Sequence, residues 1–359
     1  MNLTSLVRTS HITRTFTHSI KPISSSSSVS LSHTPTSLNP KPKTPLYLKP
    51  PIYTTSLSSL KKFQKWAKTL SSSVNASFKD SSNLHQELNW LLQDSLQNPN
   101  ILQTHEENDN LVALRLKLDD LYDLWTQRIE KRRPFQYIVG CEHWRDLILS
   151  VEEGVLIPRP ETELIVDLVN DVIKGGGENG DLGNGLWVDL GTGSGAIAIG
   201  IGRVLGDLGR VVGVDLSDVA VRVASYNVER YNLQDKISIK QGSWFEPLSE
   251  FKGQVAGLVS NPPYIPSGHI DGLQPEVGRH EPILALDGGD DGMSDLLHIC
   301  NGAASMLKSG GFLAFETNGE DHCRFLFDHM ETIHKESFCN LKIVPDFAGI
   351  QRFVTGFRS

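Results

Sequence analysis

The sequence predicts an α/β protein built on a doubly wound, mostly parallel sheet. Three observations predict it. From Leu186 onward, short apolar runs alternate with segments of helical period. A glycine-rich turn, Asp189-Leu190-Gly191-Thr192-Gly193-Ser194-Gly195, joins the first such strand to the first such helix. And one buried apolar run, Val255 to Val259, stops abruptly at Ser260-Asn261-Pro262-Pro263-Tyr264, because two consecutive prolines cannot continue a ladder.

The chain has 359 residues, enough for about two domains. Its net charge of −8 joins two unlike parts. No Asp or Glu precedes Asp80, whereas eleven Lys and Arg do; the remainder of the chain carries 23 basic against 42 acidic residues, a net −19. A basic, acid-free start with Ser24 to Ser28 consecutive has the composition of an organelle transit peptide, and residues 1–60 are expected to be disordered or removed. Serine and threonine abundance with two early arginines, Arg8 and Arg14, points to a chloroplast, with the mitochondrion as the alternative. No apolar run approaches 18 residues, so no membrane span is expected. The cysteines, Cys141, Cys300, Cys323 and Cys339, are scattered, and the 12 histidines have no metal-like spacing, so neither a disulfide framework nor a metal is expected.

From Leu57 to about Lys131 the pattern is helical. Leu84, Leu88, Leu91 and Leu92 fall at helix spacing, as do Leu114, Leu118, Leu121 and Leu124, with an Asn98-Pro99-Asn100 turn between. This predicts a small helical domain over residues 61–132. Within residues 133–158, Gln136–Gly140 and Leu147–Val151 read as the two strands of a hairpin connector. Ile157-Pro158-Arg159-Pro160-Glu161-Thr162-Glu163 then enters a helix that runs to about Lys174, with Pro160 at an early helical position. In residues 159–359, strands are predicted at 186–190, 210–215, 237–241, 255–260 and 310–316, with a pair at 341–345 and 352–357. Helices are predicted near 195–205, 217–231, 293–308 and 320–334.

In the 189–195 loop the glycines permit a tight turn and close approach of a ligand to the backbone. Asp215, twenty residues past Gly195 at the end of the second strand, can accept both hydroxyls of a ribose. These features point to a nucleoside-containing cofactor. Gly191, Gly193 and Ala196 formally satisfy a dinucleotide fingerprint, but Asp189 stands before the first glycine. An acid there is useless beside a pyrophosphate and suits a cofactor bearing ammonium and sulfonium groups. At 261–264, the Asn261 side-chain oxygen and the Pro262 carbonyl can each accept one N–H of a planar –NH2 group. Neither proline offers a competing N–H, and Tyr264 can wall the group's flat face. Asn and Pro are equally ordinary turn residues.

Taken together, Asp189–Gly195, Asp215 and Asn261–Tyr264 resemble the class I S-adenosylmethionine methyltransferases that modify amino groups on planar systems. Within these, Arg133–Ile138, Ile157–Glu163, Ser243-Trp244-Phe245 and Glu281-Pro282 resemble the release factor glutamine methyltransferases (HemK/PrmC type), over roughly residues 80–357 in order. The resemblance implies a seven-stranded Rossmann-like sheet, with an N-terminal helical domain and a hairpin. It implies that Gly191, Thr192, Gly193, Ser194 and Gly195 line the methionine part of S-adenosylmethionine, that Asp215 holds the ribose and that Trp244 lies beside the adenine. It implies that Asn261, Pro262, Pro263 and Tyr264 hold the glutamine of the Gly-Gly-Gln motif of a class 1 peptide chain release factor, with Asn261, Pro262 and Tyr264 carrying catalysis. Two positions depart from the family pattern. Ser243 stands where an acid often precedes the Trp, and Glu316-Thr317-Asn318-Gly319 replaces a more usual Glu-x-Gly, leaving Glu316 without an assigned role. A monomer acting on a protein, without direct nucleic-acid contact, is expected.

Other functions fit parts of this pattern. An adenine-amino methyltransferase could use the same Asn-Pro-Pro-Tyr loop, with Tyr264 stacked on a flipped base. A net −19 after Asp80, with no basic patch, argues against a polyanionic substrate. A cofactor-fold scaffold without catalysis would not need both loops complete. Hydride transfer would leave the 261–264 loop without a role.

Overall fold

A computed structural model describes residues 41–73, 81–103, 110–175 and 181–359. The expected transit segment before Lys41 lies outside these residues.

The ordered body opens earlier than residue 60. Leu46 is buried, strand β1 spans Tyr53–Ser56, and Leu57 and Leu60 begin the buried face of helix α1, Leu57–Ser73. That face continues through Phe63, Ala67 and Ser71, a helical spacing that places all five on one side. Ser56 accepts a hydrogen bond from the Ser59 amide at 3.2 Å, an N-cap that fixes where the strand turns into α1. The expected boundary at 60 is therefore too late, because these apolar side chains fill the same core as the helices after them. Helix α2, Ser81–Ser95, contributes Leu84, Leu88, Leu91 and Leu92.

A second correction concerns Leu114. It belongs to strand β2, Leu111–Leu114, antiparallel to β1, and not to a helix. Its alternation of exposed Leu111 with buried Val112 and Leu114 covers only four residues, and its partner strand lies far upstream. Helix α3 comes next at Leu118–Glu130, and its Trp125 donates to the Ala67 carbonyl across the bundle at 3.1 Å. The third correction is helix α4, Phe135–Val139, where a strand was expected. Phe135, Ile138 and Val139 enter the bundle core and Tyr137 packs on Val151 and Ile157, so packing on two sides overrides the β-type composition. Gly140, at φ 77°, ends α4 in the left-handed region. The hairpin is β3, Cys141–Trp144, with β4, Leu147–Ser150.

Helix α5 covers Glu163–Lys174. Pro160, Glu161 and Thr162 precede it as a tighter turn, with hydrogen bonds from Glu163, Leu164 and Ile165 back three residues. The sheet domain then runs β5 (Leu186–Leu190), α6 (Ala196–Val204), β6 (Arg210–Asp215), α7 (Asp218–Arg230), β7 (Ile237–Gln241) and β8 (Val255–Ser260). After β8 come α8 (Pro275–Gly278), α9 (Ser294–Met306), β9 (Leu307–Glu316), α10 (Glu320–Ile333), β10 (Phe338–Pro345) and β11 (Gln351–Arg358). Apart from α8, where a loop was expected, these bounds match the sequence expectations to within three residues.

The seven strands lie in the order β10-β11-β9-β8-β5-β6-β7. All neighbours are parallel except the antiparallel β9–β11–β10 edge. Helices α5, α6 and α7 pack on one face and α9 and α10 on the other. This is the fold of the class I methyltransferases. Gly257 shows how tight the centre is: a Cβ there would lie 2.2 Å from the Trp187 ring of β5. The order reverses direction between β5 and β8, so the carboxyl ends of those two strands open the crevice where doubly wound sheets bind ligands. No helix among the described residues is long and apolar enough to cross a membrane.

Candidate active site

The two sequence loops begin from paired neighbours. Leu190, which opens the glycine turn, is the register partner of Ser260, which precedes Asn261. The Ser260 hydroxyl donates to the Leu190 carbonyl at 2.7 Å, tying the two strand ends together. A Cβ on Gly191 would lie 3.8 Å from the Asn261 carbonyl and 3.7 Å from the Trp244 ring. Three segments separate in the chain thus meet at one point.

The glycine turn is a backbone construction. Gly191, Gly193 and Gly195 hold φ of 71°, 56° and 82°, a region closed to most side chains. The amides of Gly191 and Thr192 both donate to the Val214 carbonyl at 2.9 Å, which fastens the turn to β6. Gly193 faces open space, with nothing within 4 Å of a built Cβ, and its amide donates to Asp215 at 2.8 Å. The other Asp215 oxygen takes the Ser217 amide at 2.9 Å. Asp189 is fully buried. One of its oxygens takes the Thr192 hydroxyl at 2.6 Å and the Ala198 amide at 3.1 Å, and the other has no partner. Burial, more than any other influence, pushes its carboxyl up to about 7. A cationic ligand would supply the interaction this orphaned oxygen lacks.

Trp244 holds φ 45°, an unusual conformation for a bulky residue. Asn227 of α7 was not singled out in the sequence. Its amide exchanges two hydrogen bonds with the Ser150 backbone of the hairpin, at 2.8 and 3.0 Å, and donates a third to the Ser194 carbonyl at 2.9 Å. One buried asparagine therefore joins hairpin, helix and cofactor turn.

The 261–264 side is built from side chains. Asn261 Nδ2 donates to Thr162 Oγ1 at 3.0 Å. Thr162 donates to Glu316 Oε2 at 2.7 Å, and Tyr264 donates to Glu316 Oε1 at 3.1 Å. Asn261 Oδ1 and the Pro262 carbonyl have no hydrogen-bond partner among the described residues. Glu316, to which the sequence assigns no role, closes this network at the end of β9 and is fully buried. Burial pushes its carboxyl up to about 7, against the opposing pull of Thr162, Arg352 and Tyr264. Burial also raises the Tyr264 phenol far above its ordinary value, so it stays protonated. Glu281 takes the Ile157 amide at 3.1 Å and the Arg159 guanidinium at 2.6 Å, holding the segment that carries Thr162. The 265–292 segment turns back over the loop, with a Gly288 amide bond to the Ile265 carbonyl. Arg128 and Arg132 of the helical bundle grip Glu276 of α8 within that segment, at 3.0 and 2.6 Å.

Comparison with known proteins gives the family. The sequence pattern of the ribosomal protein L11 methyltransferase (PrmA) family matches residues 162–263, from Thr162 through the Asn261 loop. A release factor glutamine methyltransferase of Thermosynechococcus vestitus is 40% identical over 243 residues, spanning 68% of this chain and 80% of its own. That of Synechocystis is 38% identical over 270 residues, covering 75% and 88%. The chain belongs to the release factor glutamine methyltransferase family. A further member, from Gloeobacter violaceus, is 41% identical over 246 residues, covering 68% and 82%. As a member of this family the chain is an S-adenosylmethionine-dependent methyltransferase, and S-adenosylmethionine is its cofactor. The residues present fit that group: an orphaned buried carboxylate oxygen for a cation, an open glycine turn, and Asp215 fixed beside Gly193.

Proposed function

We propose that this enzyme methylates the side-chain amide nitrogen of the glutamine in the Gly-Gly-Gln motif of class 1 peptide chain release factors, and that it does so in an organelle, the chloroplast before the mitochondrion. The observation that carries the reading is the pair of unengaged acceptors, Asn261 Oδ1 and the Pro262 carbonyl, at the crevice beside the glycine turn. A primary amide presents two N–H donors, and two fixed acceptors match it. The names of the relatives support the substrate. The acid-free segment before Lys41, with its serine run, supports the address.

In the cofactor-bound enzyme, Asp189, Gly191–Gly195, Asp215 and Trp244 would hold S-adenosylmethionine, which supplies a methyl group on a positively charged sulfur. An amide nitrogen is a poor nucleophile because its lone pair is delocalised into the carbonyl. The enzyme's task is therefore orientation and charge stabilisation. Asn261 and Pro262 accept the two N–H groups, direct the nitrogen lone pair and stabilise positive charge as it develops there. Orientation of this kind supplies roughly 7–11 kcal/mol when the geometry is near-attack. Bound there, S-adenosylmethionine would supply the methyl group to the nitrogen so oriented, leaving as S-adenosylhomocysteine, and the spare proton on nitrogen would pass to water.

The test uses radiolabelled S-adenosylmethionine with an organellar release factor, native and with its Gly-Gly-Gln glutamine replaced. Label on the native form alone is expected. Label entering adenine in DNA or RNA while both release factors stay unlabelled would overturn the substrate. For the address, residues 1–40 fused to a fluorescent protein should be imported by isolated chloroplasts; import by mitochondria alone would replace the compartment.

A further inference from the structure

We propose that Thr162, backed by Glu316, is a positioning residue that fixes which atom of the Asn261 amide faces the substrate. The inference deepens the glutamine-amide reading and rests on it. The two ends of an asparagine amide are nearly identical in shape, so packing alone scarcely distinguishes them. Turned by half a revolution, Asn261 would present an –NH2 to the substrate –NH2, donor against donor, and one of the two acceptors would be gone.

The network removes that choice. A threonine hydroxyl has one proton and two lone pairs. The Thr162 proton is committed to Glu316 Oε2 at 2.7 Å. Toward Asn261, 3.0 Å away, Thr162 can then only accept, so Nδ2 must turn to it and Oδ1 must turn away. Glu316 cannot rotate out of the arrangement, because Tyr264 holds its other oxygen. Thr162 is 4% exposed and Glu316 is 1% exposed, so bulk water does not substitute for either. The chain order Glu316 to Thr162 to Asn261 therefore transmits one piece of information, the polarity of an amide.

The experiment compares wild type with Thr162→Val, which keeps the shape and deletes the hydroxyl, and Thr162→Ser, which restores it. Thr162→Val is expected to lower kcat by about 100-fold, the scale of a misplaced reacting group, with affinity for S-adenosylhomocysteine within about twofold of wild type, and Thr162→Ser to recover kcat to within about threefold. Unchanged affinity in the valine variant excludes a collapsed fold as the cause. A second readout needs no substrate. With 15N-labelled asparagine, the Asn261 side-chain resonance, assigned by its loss in Asn261→Ala, should show one hydrogen-bonded, slowly exchanging Nδ2 proton in wild type and none in Thr162→Val. Wild-type kcat in Thr162→Val, equal impairment of the serine and valine variants, or an unchanged Asn261 resonance would each overturn the proposal. If wild type transfers no methyl group to the release factor, the glutamine reading fails, and the resonance alone decides the polarity relay.

Discussion

The two walls of the crevice are made differently. The cofactor wall between β5 and α6 is backbone: three glycines with positive φ, fastened by amide bonds to Val214 and Asp215. The substrate wall after β8 is side chain: Asn261, Thr162, Tyr264 and Glu316, drawn from the turn before α5, the loop after β8 and the end of β9. A backbone wall tolerates change in most side chains but not in its glycines. A side-chain wall is sensitive at each hydrogen-bonding atom and depends on proton positions. On the proposed assignment of the two walls, the difference separates binding from turnover, and it can be broken by mutation one wall at a time.

The largest effect is expected from Asn261→Ala. It removes one of two acceptors for the reacting –NH2, and loss of a single such group commonly costs about 10²–10³-fold in kcat. Cofactor affinity should change by no more than about threefold, measured by calorimetric titration with S-adenosylhomocysteine. A variant that keeps turnover and loses cofactor affinity would merge the two walls into one. Asp215→Ala should do the reverse. It deletes the acceptor of the Gly193 and Ser217 amides and the expected ribose contact. A hydrogen bond to a charged group is worth about 1.5–3 kcal/mol, so cofactor affinity should fall by about 10–100-fold while kcat at saturating cofactor falls far less. Thr162→Val lies between the two.

The same contrast explains what the sequence disclosed. Asp189–Gly195 and Asp215 were legible because a tight turn needs glycines at closely spaced positions and an acid at a fixed offset, all within one β-turn-α-β unit. The central strands β5, β6 and β8 were legible because strands buried on both faces write continuous apolar runs. Glu316 was not legible. Its partners Thr162 and Tyr264 lie 154 and 52 residues away in the chain, and only the β5–β8–β9 pairing brings them together. Asn227 was hidden for the same reason, its hairpin partner Ser150 being 77 residues upstream. Leu111–Leu114 and Phe135–Val139 were misread because each is four or five residues long, too short for a period to declare itself against tertiary packing.

The finest prediction concerns protons on the substrate wall. Glu316 can take both hydroxyl protons only when ionised. Protonated, it adds a donor to a network that Thr162 and Tyr264 already fill, and Thr162 is freed to donate toward Asn261. The charged or titratable groups acting on it are Arg352 and Glu161, with Tyr264 protonated throughout. With its carboxyl at about 7, kcat should rise about tenfold from pH 6 to pH 8. Asp189, also at about 7, should affect cofactor affinity in the free enzyme and drop out of kcat once the cofactor is bound. Glu316→Gln retains an oxygen for Thr162, so at pH 8 it should cost less than Thr162→Val, and it should flatten the rise in kcat. Stability moves the opposite way. Burial raises the folded-state pKa of Glu316 above its ordinary 4.5, so its contribution to stability is full below that value and is lost as pH rises through about 7. The Tm of wild type should therefore fall relative to Glu316→Gln between pH 6 and pH 8 while its kcat climbs. A flat kcat together with a flat relative Tm over that range would mean that Glu316 is already ionised at pH 6, and that the polarity of Asn261 is set without a proton to lose.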